Sequence, residues 1–317
     1  MLSKQADPEL ARHLRIVAKA ILRGTVVPVL GAGANLCDRA PDEPWSPGVN
    51  LPSGAELSEL LADEFDCEVS DRSDLVRVSQ YAEVTSGEGP LYAQLREIFV
   101  AQYPIPSLHR FIANLPAWIG EHGRRPCSQL IMTTNYDDLM ERALREARVE
   151  FDLVRYVGKG PYRGLFVHEQ PDGTEHVITV PNEYDALDPN RRTVVLKVHG
   201  TADRDDPDDD SYVITEDHYI EYLTRTNPSE LIPVRLLEKL VHSHLWFLGY
   251  GMRDWNLRVV LHRIWALREL GWTSWAVQRD VDRFEERLWI TRDVELHQCR
   301  LAEYVAGLST ALNEVIA

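Results

Sequence analysis

Three short apolar runs in this chain end abruptly in glycine or polar residues. Thr25–Leu30 runs into Gly31-Ala32-Gly33-Ala34-Asn35. Leu130–Met132 runs into Thr133-Thr134-Asn135-Tyr136-Asp137-Asp138, and Val194–Val198 runs into His199-Gly200. Short apolar runs without alternation suit strands buried on both faces, as in a parallel sheet. Such sheets collect their ligands beyond the carboxyl ends of the strands. A glycine loop, an Asn/Asp pair and a histidine are therefore expected in one crevice.

Three further runs, His244–Leu248, Ser274–Gln278 and about 294–299, read as strands as well. Between them lie segments of helical period. Leu10, Leu14, Val17, Ala18 and Ile21 share one face of a helix opened by Asp7-Pro8 and stopped at Gly24. Ser53 and Glu56 have capping-box spacing. Helices are expected over roughly 74–84, 90–102, 106–119, 136–147, 215–223, 229–241, 255–270 and 301–316. This alternation predicts an α/β fold, a Rossmann-like doubly wound parallel sheet of about six strands with a helical second lobe. A single domain over 1–317 is expected. Its core would take in about 20–35, 125–148 and 190–300, and its helical and insert lobe about 36–124 and 149–190. Pro28 lacks an N–H and argues against a central place for the first strand.

Composition narrows the function. The net charge is −16, and no cluster of Lys and Arg exceeds a doublet, which speaks against direct nucleic-acid binding. No apolar run suits a bilayer span and the N-terminus has no signal-peptide pattern, so a cytoplasmic protein away from membranes is expected. Cysteines at 37, 67, 127 and 299 lack metal spacing, and no metal is expected. The acidic run Asp203–Asp210 lacks the glycine and closing Glu of a calcium loop and reads as a solvated surface loop.

Each candidate motif has two readings. The Gly31–Asn35 loop is a plain strand-to-helix turn or a cradle for a pyrophosphate. Leu36 stands where a dinucleotide fingerprint needs its third glycine, so a dehydrogenase is poorly supported. Thr134-Asn135-Tyr136-Asp137 is a helix cap, or Asn135 holds a ribose hydroxyl or a water while Asp137 fixes the loop or contacts the substrate amide. His199 is structural or a general base, with Gly200 leaving space beside its ring. Gly249-Tyr250-Gly251 with Asp254 is a tight turn and cap or a second phosphate- or ribose-binding loop.

In this order, the segments Gly31-Ala32-Gly33-Ala34-Asn35, Thr134-Asn135-Tyr136-Asp137, His199-Gly200 and the Gly249 loop resemble the sirtuin-like NAD-binding family. Zinc-binding cysteines and a Pro-Asp-Phe-Arg segment, both usual in the deacylases of that family, are absent. The chain is more similar to the prokaryotic anti-phage branch, whose members hydrolyse NAD. The resemblance implies NAD as substrate, cleaved to nicotinamide and ADP-ribose in an antiviral NAD-depletion response. It implies that Gly31, Ala32, Gly33, Asn35 and the Gly249, Tyr250 and Asp254 loop bind the cofactor. Thr134 would also bind the cofactor and Asp137 would line the nicotinamide pocket, with Asn135 and His199 catalytic. The alternatives are a non-catalytic NAD- or ADP-ribose-binding module and a protein ADP-ribosyltransferase or deacylase. Too few residues flank the motifs for a sensor domain, so control is expected from homo-oligomerisation or a separate protein. The resemblance suggests a translocase-type ATPase or an argonaute-like protein for that role.

Overall fold

The structure, a computed structural model, describes residues 8–40, 42–122, 128–224, 232–251, 258, 261, 264–267 and 272–316. Its frame is a nine-stranded sheet in the order β11-β10-β9-β1-β2-β6-β3-β4-β5. The strands are β1 (Val26–Leu30), β2 (Leu130–Thr133), β3 (Phe151–Tyr156), β4 (Phe166–Glu169), β5 (Glu175–Ile178), β6 (Thr193–Lys197), β9 (His244–Leu248), β10 (Ser274–Gln278) and β11 (Val294–Gln298). Every ladder from β11 to β3 is parallel, and β4 and β5 continue antiparallel. The short strands β7 (Gly200–Thr201) and β8 (Ser211–Tyr212) form a separate antiparallel pair.

Alternate residues of the buried strands feed two apolar layers, as the two-residue period of a strand requires. Val26, Leu30, Ile131, Val195, Trp246 and Leu248 face one layer. Val27, Val29, Met132, Leu196 and Phe247 face the other. The first layer is roofed by α1 (Pro8–Leu22), α2 (Gly54–Glu64), α3 (Leu75–Ser86), α4 (Glu88–Phe99), α5 (Ser107–Glu121), α6 (Leu139–Glu146) and the C-terminal α10 (Leu301–Ile316). The second is covered by α8 (Val234–Val241) and α9 (Arg283–Ile290). A further helix, α7 (Glu216–Thr224), follows β8. No helix among the described residues is long and apolar enough to cross a membrane.

Most local expectations hold. Leu14, Val17, Ala18 and Ile21 are the buried stripe of α1. The capping box forms: the Glu56 amide donates to Ser53 Oγ at 3.2 Å, and the Ser53 amide donates to Glu56 Oε2 at 2.8 Å. The six expected strands are present, and β3, β4 and β5 lengthen the sheet. Residues 151–178, expected within an insert lobe, thus extend the main sheet. β3 was hidden because Asp152 and Arg155 interrupt its apolar run. Both are buried, Asp152 against His168 and Arg192, Arg155 against Glu175 and Asp209. Helix α9 was also missed, although Asp282 caps it by accepting from the Phe284 and Glu285 amides.

Pro28 is a correction. It sits mid-sheet, paired with Trp246 of β9. Leu30 C=O faces β2, where it accepts from the Thr134 amide, and the Gly31 amide faces β9. By alternation the Pro28 nitrogen faces β2, but that ladder begins only at Val29 opposite Met132. The missing donor falls where no ladder partner stands, so the position tolerates proline. The helix expected from 136 starts at Leu139, and that expected from 229 is described from Val234, with 229–231 outside the described residues. Most of the expected 255–270 helix also lies outside them.

Candidate active site

From β1 the chain proceeds to β2 on one side of the sheet, while β9 pairs with the other side of β1. This is a topological switch point, where doubly wound sheets open a crevice at their carboxyl ends. A cavity of about 380 Å³ lies there. It is lined by Gly31, Ala32, Gly33 and Asn35 after β1, by Thr134, Asn135, Tyr136 and Asp137 after β2, by His199 after β6, and by Gly249, Tyr250 and Gly251 after β9. Leu57 of α2, Leu75 of α3, Phe99 of α4 and Tyr219 of α7 close it over. Every candidate residue within the described part therefore lines one cavity. Asp254 lies outside the described residues.

The glycines bring two backbones together. The Gly31 amide donates to Leu248 C=O at 3.2 Å and the Gly33 amide to Gly249 C=O at 2.9 Å. A Cβ on Gly31 or Gly33 would stand 2.7 Å from Gly249 O. Gly249 has φ +62, and its Cβ would meet Ala34 N at 2.2 Å. The loop continues as a short 3-10 turn, Ala32–Leu36, in which the Ala34 amide donates to Gly31 C=O. Three of its amides are thus committed within the protein, and the glycines serve loop-to-loop contact before any ligand.

The turn after β2 is built from side chains. Thr133 Oγ1 accepts from the Asn135 amide at 3.0 Å. Asn135 Nδ2 donates to Gly31 C=O at 3.2 Å and to Asn35 Oδ1 at 3.4 Å. Asn35 Nδ2 donates to Asp137 Oδ2 at 2.7 Å, and Asp137 Oδ1 accepts the Leu139 amide at 3.1 Å. Asp137 therefore satisfies the first amide of α6 while also facing the cavity. Asn135 and Asp137 are both buried. Burial pushes the Asp137 carboxyl up from its ordinary range, opposed first by the charge of Lys197.

His199 is only 3% exposed, and its ring meets Tyr219 edge-on at 5.9 Å. Its carbonyl accepts from the Val213 amide at 2.9 Å. Gly200 does not serve to leave space beside that ring. At φ +89 its Cβ would stand 2.1 Å from Ser211 O, so the β7–β8 pairing is what requires glycine. The Tyr250 ring reaches into the second apolar layer beside Phe247 and Trp289.

Two groups of residues escaped sequence reasoning. Lys197, the one cation in the Val194–Val198 run, is fully buried, and Nζ donates to Tyr136 C=O (3.2 Å), Asp137 C=O (2.5 Å) and Glu141 Oε1 (2.8 Å). A lysine inside a buried strand must find such partners, and that was the available signal. Arg204 clasps Asp138 through Nε (2.5 Å) and Nη2 (2.9 Å). Arg96 holds Asp210 at 2.8 Å. The acidic run is thus solvated at Asp205, Asp206, Asp208 and Asp209 but anchored at its ends. Among the described residues, His13, Glu295 and His297 group closely enough to suggest a metal, but they belong to α1 and the β11 edge and line no part of this cavity.

Residues 129–297 match the SIR2-like domain family. The chain belongs to that family. The matched part carries Asn135, Asp137, His199 and Gly249, while the Gly31 loop precedes it. Among curated relatives, the NAD(+) hydrolase ThsA of Enterococcus faecium is 27% identical over 270 residues, 83% of this chain and 45% of that protein. ThsA of Cytobacillus dafuensis is 26% identical over 67% of this chain and 34% of its own length. ThsA of Bacillus cereus is 27% identical over 69% of this chain and 38% of its own. This SIR2-like chain thus spans less than half of these relatives. A solved structure reported for the mechanism and regulation of Sir2 enzymes aligns over 95% of this chain and 97% of its own, with 11% identity and a TM-score of 0.44.

Proposed function

We propose that this SIR2-like chain is an NAD glycohydrolase, releasing nicotinamide and ADP-ribose. The observation that carries the reading is the meeting of Asn135 and His199 in one cavity at the switch point. The NAD(+) hydrolase relatives support it.

The chemistry asks little of the protein. The bond between ribose C1′ and the nicotinamide nitrogen breaks with its electron pair going to the ring, which leaves neutral. The ribose passes through an oxocarbenium-like state, as in other glycosyl transfers. Water bonds to C1′ and gives up a proton. Asn135 holds the water or a ribose hydroxyl, and His199 takes the proton, a contribution on the order of 10²–10⁴-fold. Asp137 and Thr134 line the nicotinamide side, and the Gly31 and Gly249 loops the pyrophosphate side. Incubation with NAD followed by chromatography tests this. Wild type should yield nicotinamide and ADP-ribose in equal amounts. Asn135→Ala and His199→Ala should each lose roughly 10²-fold or more. Full activity in both variants removes these residues from the mechanism, and label from NAD appearing on protein replaces hydrolysis with ADP-ribosyl transfer.

The proposed role is that of an antiviral effector in the cytoplasm, depleting NAD once released. The proposed control is homo-oligomerisation or a separate sensing protein, a translocase-type ATPase or an argonaute-like protein. Light scattering, alone and with such a partner, should show assembly accompanying activity. A monomer that is fully active alone contradicts this control.

A further inference from the structure

The polar turn after β2 has a direction that the cavity alone does not reveal. Asp137 receives N–H groups on both carboxylate oxygens, from Leu139 N and from Asn35 Nδ2. A carboxylate only accepts, so Asn35 must turn its NH₂ toward Asp137. Its Oδ1 then faces Asn135 and accepts from that residue's Nδ2. The second Nδ2 hydrogen of Asn135 goes to Gly31 C=O, itself an obligatory acceptor. Both donors are spent, and the carbonyl Oδ1 of Asn135 is the group left for the cavity.

Behind this relay stands Lys197. Its ammonium grips the Tyr136 and Asp137 carbonyls and pairs with Glu141 at the start of α6. The Ala202 amide donates to the same Tyr136 carbonyl at 2.9 Å. The chain segments on either side of His199 thus both hold the turn that carries Asn135. The charged groups around Asp137 are Lys197 from β6, Asp138 beside it on the turn, Arg204 from the loop after β7 and, behind Lys197, Glu141. Tyr103, ahead of α5, also senses Asp137.

We infer that Asp137, Asn35 and Lys197 form a positioning relay that fixes which end of the Asn135 amide faces the substrate. Lys197 pins the Tyr136 and Asp137 carbonyls, Asp137 orients Asn35, and Asn35 orients Asn135. The relay presents Asn135 as an acceptor, suited to a ribose hydroxyl or to a water that donates an O–H to it while an oxygen lone pair turns toward C1′. This kinetic consequence rests on the proposed NAD cleavage; the amide orientation does not.

Neutron diffraction from deuterated crystals of the whole chain reads the orientation directly. Deuterons on Asn135 should point to Gly31 O and Asn35 Oδ1, with none on Asp137. Deuterons of Asn135 facing the cavity, or one on the Asp137 carboxyl, overturn the relay. The kinetic arm uses Asn35→Ala, at a half-buried position, and Lys197→Met combined with Glu141→Gln, which removes both buried charges together. Asn35→Ala should lower kcat at least ~10-fold with KM within ~3-fold, the signature of lost orientation. The charge-free pair should move the acid limb of the kcat profile to higher pH, because Asp137 then protonates more readily. Wild-type kcat in Asn35→Ala, or an unmoved acid limb in the pair, overturns the relay. If wild type leaves NAD intact, the proposed function fails while the deuteron positions still decide the relay.

Discussion

The loops after β1 and β9 and the turns after β2 and β6 meet in one cavity but are built by opposite means. The first pair is backbone against backbone, with Gly31, Gly33 and Gly249 so close that a single added carbon overlaps main-chain atoms. The second pair is built by side chains: Asn35, Asn135 and Asp137 are joined by directional hydrogen bonds, and Lys197 donates to the Tyr136 and Asp137 carbonyls beneath them. One half of the site is therefore intolerant of volume and the other of charge. The glycine half supplies shape and the polar half supplies chemistry.

The comparison breaks most sharply at Gly249. Gly249→Ala combines a left-handed φ with a clash against Ala34 N. It should cost about 5 kcal/mol, read as a loss of soluble yield and of the urea midpoint. A stable Gly249→Ala protein would mean that the two loops are not in contact. Lys197→Met alone comes next. It leaves Glu141 buried and unpaired, and about 3 kcal/mol should be lost in urea titrations. Restoring charge balance with Glu141→Gln should recover much of it, which no cavity-filling change at Gly249 would do.

Acid sharpens the distinction between folding and chemistry. Burial pushes His13 down to about 3 and His109 to about 4, and neither lines the cavity. Both are neutral when folded and protonate when unfolded, so the unfolded state binds more protons between roughly pH 6.5 and the folded values. Their stabilisation is full above pH 6.5 and is lost as pH falls. About 2 kcal/mol per histidine should go by pH 5, measured by urea titration at each pH. His13→Gln should flatten that slope without moving the acid limb of kcat. The smallest effect belongs to the rim: Ser53→Ala removes half of the capping box of α2 and should cost about 1 kcal/mol in thermal unfolding.

Much of this was legible in the chain. Uniform apolar runs marked β1, β2, β6, β9 and β10, because strands covered on both faces have no polar side to show. Polar residues at their ends marked the cavity. What stayed hidden was polar by composition yet buried by pairing: β3, with Asp152 and Arg155, and the Lys197–Glu141 pair. A sequence shows that a residue carries charge but not that a partner 56 positions away neutralises it.

By itself, the sequence determined six of the sheet's strands, about where they end and which side chains stand at those ends, because strand burial and turn chemistry are local. Only the tertiary structure decided that Gly31 and Gly33 serve Gly249, that Gly200 serves Ser211, and that Asp137 sets the direction of Asn135 through Asn35. Those contacts join segments up to 218 residues apart (249 − 31), and their distances and donor directions arise only when the sheet sets the strand ends side by side.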